Sequence, residues 1–151
     1  HRARVAYTQI YNEQGWGAGM AAFLAMTSWE GEVTEEFLAR PAPDPAAFGM
    51  PSEDDGNRTD PLLSDHSWGV PLYQPDFEAL SESPTRIVVA VGEESLKVYT
   101  GRTALALAER LGQSATVFPS HHGGFMGGEF GYAGQPEAFA AKLREVLSAR
   151  G

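Results

Sequence analysis

"RIVVAV", Arg86 to Val91, decides how this chain is to be read. Five consecutive apolar residues, three of them β-branched valines and one isoleucine, match a strand buried on both faces, as in parallel sheets. Gly92 ends the run. Downstream, "GRTALALAERLG" places Ala104, Leu107, Ala108 and Leu111 on one helical face, with Gly112 as the stop. "ATVF", Ala115 to Phe118, is a second short strand. Gln135-Pro136-Glu137 then opens a last helix with proline at its first position, and Phe139, Leu143, Val146 and Leu147 form its apolar stripe. Strand, helix, strand, helix is a βαβ crossover, so the two strands are expected to be parallel.

Upstream, the composition changes. Residues 1 to about 40 read as helical. In "WGAGMAAFLAM", Trp16, Met20 and Phe23 fall on one face, and "TEEFLAR" is a short helix with Thr34 as its N-cap. Residues 41–61 are rich in Pro, Asp and Gly and are expected to be a mobile loop. Asp76, before "FEAL", is an N-cap for a further short helix. The expected organisation is a mostly helical region over 1–80 and an α/β region over 81–151.

Such a layout is incomplete as a sheet. Two parallel strands do not make a stable sheet alone. The helical region offers no convincing strands, so further strands are expected from a missing N-terminal portion or another copy of the chain.

Composition narrows the partners. The chain has 151 residues, the size of one ordinary domain, with 42% hydrophobic and 21% charged residues and a net charge of -9. That charge argues against nucleic acid and anionic membranes, which require clustered Lys and Arg. No apolar run approaches the ~20 residues of a membrane helix. No basic segment leading into an apolar one opens the sequence, and a cytoplasmic location is expected. There are no cysteines, which excludes disulfides and thiolate metal sites.

With these residues in view, "RIVVAVGEES…ALALAERLG…ATVFPSHHGGF…QPEAFAAKLREVL" resembles the C-terminal end of α/β-hydrolase-fold enzymes. Residues 1–80 resemble, more loosely, the helical cap such enzymes carry before that point. The resemblance implies an α/β fold, an ester-like or related small-molecule substrate and no cofactor. It implies that His122, directly before "GGF", is the catalytic base, on a loop past the end of a strand. An exposed loop histidine is the plain alternative. The triad acid falls in "GEES": Glu94 first, Glu93 second. Strict alignment puts Ser95 there instead, and Asp76 is a further candidate that N-capping already accounts for. A solvated acidic turn is the plain reading of both glutamates. His121, Trp68 and Phe125 are candidates for a substrate pocket. Adjacent His121 and His122 make poor chelate geometry, so no metal is expected.

The family's G-x-S-x-G elbow is absent: Ser28, Ser52, Ser64 and Ser67 all lack the flanking glycines. The resemblance therefore implies a C-terminal portion whose nucleophile lies on missing upstream sequence, and this chain alone is expected to be inactive. The other reading is a noncatalytic binding module that kept the fold and lost the chemistry.

Overall fold

The computed structural model describes residues 1–65 and 72–149. The chain divides into two compact units, His1–Gln74 and Pro75–Gly151. Among the described residues no helix is long and apolar enough to cross a membrane.

The first unit is built on two helices, α1 (Arg2–Gln14) and α2 (Trp16–Thr27). Gly15 separates them with φ 93°, a left-handed value that interrupts the helical path. The two helices pack through Tyr7, Tyr11, Ala22 and Met26, and Leu63 completes this core from the following loop. Tyr7 meets Phe23 edge to face, with centroids 5.5 Å apart. A one-turn helix, α3 (Glu35–Leu38), starts where the threonine cap was expected: the Thr34 hydroxyl accepts from the Phe37 N–H.

Residues 41–61 carry a short 3-10 turn, Pro45–Phe48, capped by Asp44. The end of this segment is tied to the helices. The Tyr11 hydroxyl donates to the Asn57 carbonyl and accepts from the Asp60 N–H, and the Trp16 indole donates to the Asp60 carboxylate. Buried Arg4 reaches the Leu62 and Ser64 carbonyls, and Thr8 reaches that of Leu63.

The second unit is a mixed α/β arrangement. Helix α4 (Phe77–Glu82) is capped by Asp76, whose carboxylate accepts from the Ala79 N–H. Strand β1 (Ala90–Gly92) pairs in parallel with β2 (Thr116–Phe118), in the register Ala90 with Thr116, Val91 with Val117 and Gly92 with Phe118. Helix α5 (Tyr99–Arg110) makes the crossover, and Gly112, at φ 67°, follows its end. Helix α6 (Pro136–Ser148) begins with proline at its first position.

The strand reading needs a correction. The run Arg86 to Val91 is not a six-residue strand buried on both faces; only Ala90 to Gly92 are paired. Val89 and Val91 are buried while Val88 and Ala90 are exposed, an alternation that covers one face only. The physical reason is that among the described residues β1 has one strand neighbour, so its other edge finds no ladder. The apolar side chains are spent unevenly for the same reason. Val117 is 46% exposed, and no residue of α6 is fully buried, with Leu147 68% exposed.

Candidate functional site

Parallel pairing puts the C-terminal ends of β1 and β2 side by side, and each strand runs directly into a tight turn there. After β1 comes a 3-10 turn, Glu93–Ser95. After β2 come Pro119, Ser120 and the two histidines. Gly92 permits the approach of the two turns: a Cβ at that position would lie 2.7 Å from the His121 carbonyl carbon and 2.8 Å from the Ser120 oxygen.

Two hydrogen bonds join the turns. The Glu94 N–H donates to the Ser120 carbonyl at 3.1 Å, and the His122 N–H donates to the Ser95 hydroxyl at 2.8 Å. Ser95 and Ser120 are both buried. Ser120 holds φ 68° and is the one non-glycine with positive φ among the described residues. For L-residues that conformation costs about 1–2 kcal/mol, so the surrounding contacts hold it in place.

The two histidines have different surroundings. The His121 ring is engaged on both nitrogens: Nδ1 accepts from the Gly123 N–H at 3.0 Å, so Nε2 carries the proton and donates to the Ala133 carbonyl at 2.9 Å. It also stacks on Tyr132, with centroids 3.8 Å apart. His121 therefore ties the glycine loop to the segment before α6. The His122 ring is exposed and has no hydrogen bond among the described residues.

The acid candidates lie beside this loop without reaching it. Glu93 and Glu94 are exposed, and among the described residues neither carboxylate is hydrogen-bonded to the His122 ring. Ser95, not a glutamate, makes the contact with His122, its hydroxyl accepting from the His122 backbone N–H and not touching the ring. Phe125 is 62% exposed and packs edge to face on Phe139, which in turn packs on Phe118. Trp68 and Ser67 lie outside the described residues.

A cavity of about 180 Å³ opens here, lined by Val91, Ser95, Thr100, Phe118 and both histidines among others. That is smaller than the ~300 Å³ at which sites for drug-sized ligands begin. Farther along the loop, the Glu129 carboxylate accepts from the Gly127 N–H, and backbone hydrogen bonds from its own residue and Gly127 hold it below the usual carboxylate range. Among the described residues no group of three or more His, Asp and Glu side chains is placed to hold a metal ion.

Sequence reasoning missed Ser95 and Ser120 as the residues that set this geometry. "GEES" carries a weak signal for Ser95, since strict alignment singled that position out. Nothing in "FPSHH" marks Ser120 as strained. No family model, curated protein or solved structure matches this chain.

Proposed function

We propose that this chain is the C-terminal portion of an α/β-hydrolase-like enzyme acting on an ester-like small molecule, with His122 as general base. The observation that carries this reading is the pairing of the two turns at the C-terminal ends of parallel strands, where α/β proteins hold their ligands. Of the two histidines there, only His122 has an imidazole open to a reacting group.

In this reading His122 takes the proton from a serine-type hydroxyl as it attacks the ester carbonyl, then gives it to the leaving alcohol. The nucleophile comes from a strand beside β1, supplied by upstream polypeptide or a second copy of the chain. The edge of β1 that finds no strand partner among the described residues supports such a neighbour. Glu94 is favoured as the acid over Glu93 because its backbone is already bonded to the histidine turn.

The noncatalytic alternative is favoured by one observation, the lack of a carboxylate on the His122 ring among the described residues. Turnover separates the two. The chain joined to the polypeptide encoded directly upstream should hydrolyse p-nitrophenyl butyrate. His122→Ala should lower kcat about a thousandfold or more, because triad members act as a unit. His121→Ala should cost far less. Equal losses, or a larger loss at His121, would reject His122 as the base; no turnover in the joined protein would favour the binding module.

A further inference from the structure

The first unit contains a cavity of its own, about 340 Å³, within the size range of small-molecule sites. Its walls are apolar: Ala6, Ala22, Ala25, Met26 and Phe48 are representative. Among the described residues, the only charged side chain lining it is Arg40.

Arg40 is held over aromatic rings. Its guanidinium lies 4.2 Å from the centroid of the Trp29 ring and 5.9 Å from that of Phe37. Trp29 is fixed in turn, since its indole N–H donates to the Glu32 carbonyl and its ring packs on Phe37 at 5.0 Å. Among the described residues Arg40 has no carboxylate partner, whereas Arg2 pairs with Glu35 and Arg58 with Asp54. Arg40 is also solvent-exposed, so its guanidinium is accessible to a ligand entering the cavity. Stacking occupies the face of the guanidinium and leaves its N–H edge for a planar, two-oxygen acceptor.

We propose that this cavity binds a small anionic amphiphile, an unbranched aliphatic carboxylate, with its tail against the alanine and methionine walls and its carboxylate on the N–H edge of Arg40. Tail burial supplies the affinity, and Arg40 selects for the anion. The site is independent of His122 and of any hydrolytic reading, because its readout is binding alone.

The test is calorimetric titration of the chain with decanoate and with decanol, both below their aggregation concentrations. Decanoate should bind saturably, one per chain. Arg40→Gln should weaken decanoate about tenfold and leave decanol within about twofold, as expected for loss of one charged hydrogen-bonding partner. Ala25→Trp should abolish both by filling the cavity. Ala6→Phe serves the same purpose if Ala25→Trp does not fold by far-UV circular dichroism. Absence of saturable decanoate binding would overturn the proposal. So would equal weakening of both ligands in Arg40→Gln, or unchanged binding in a folded cavity-filling variant.

Discussion

Replacing Gly101 by alanine sets two well-known effects against each other. Gly101 lies in the first turn of α5, and glycine-to-alanine in a helix ordinarily stabilises by about 1 kcal/mol. Here the new Cβ would sit 1.8 Å from the Ser95 carbonyl oxygen, 2.5 Å from its carbon and 2.9 Å from the Leu96 Cα. All three are backbone atoms of the turn that anchors His122, so no flexible side chain can yield. Overpacking of this kind costs about 1–3 kcal/mol, and a backbone obstacle belongs at the upper end. Subtracting the propensity gain of about 1 from about 3 leaves a net loss of about 2 kcal/mol. Urea unfolding followed by circular dichroism measures that loss. Hydrogen exchange at the His122 amide tests its route, because that amide donates to Ser95 and should lose protection. Thr103→Ala, at an exposed position of the same helix, is the control and should gain about 0.5 kcal/mol. A Gly101→Ala variant as stable as the parent would refute the close approach of α5 to the Glu93–Ser95 turn.

The two histidines should separate in stability as well as in chemistry. His121→Ala removes two hydrogen bonds and the Tyr132 stack, and should destabilise by about 1–2 kcal/mol in urea titrations. His122→Ala removes an exposed ring without bonds and should leave the midpoint unchanged. Asp54 should titrate far below its ordinary 3.8, at about 2, because the Arg58 guanidinium and the Gly56 N–H bind its ionised form. Its folded pKa is depressed, so the contribution is present above about pH 4 and lost as pH falls toward 2; carbon chemical shifts of the carboxyl give the midpoint.

The crossover was legible because its signals are local. The stripe from Ala104 to Leu111 and proline at position 136 each act within one element, and the threonine and aspartate caps at Thr34 and Asp76 hold as expected. The strand run Arg86 to Val91 was overread because an apolar sequence declares what a strand could bury, whereas coverage depends on neighbours. With one parallel partner among the described residues, Val88 and Ala90 stay exposed. The candidate site was legible as a loop and not as a geometry. "SHHGG" names two chemically equal imidazoles, and they are distinguished by the Gly123 N–H and the distant Ala133 and Tyr132, which engage His121. Likewise, the αL conformation of Ser120 follows from the meeting of two turns, which no local pattern in "FPSHH" encodes. The Arg40–Trp29–Phe37 stack was also out of reach, because aromatic residues at helical spacing read first as core.

The most direct measurement of the central proposal is the rate at which a fluorophosphonate labels the chain joined to its upstream polypeptide, compared with the same protein carrying His122→Ala. The proposal predicts a single labelled serine outside the 151 residues of this chain, and a labelling rate that falls by about a thousandfold or more without the His122 imidazole. A rate unchanged by His122→Ala, or a label on a serine within this chain, would contradict it.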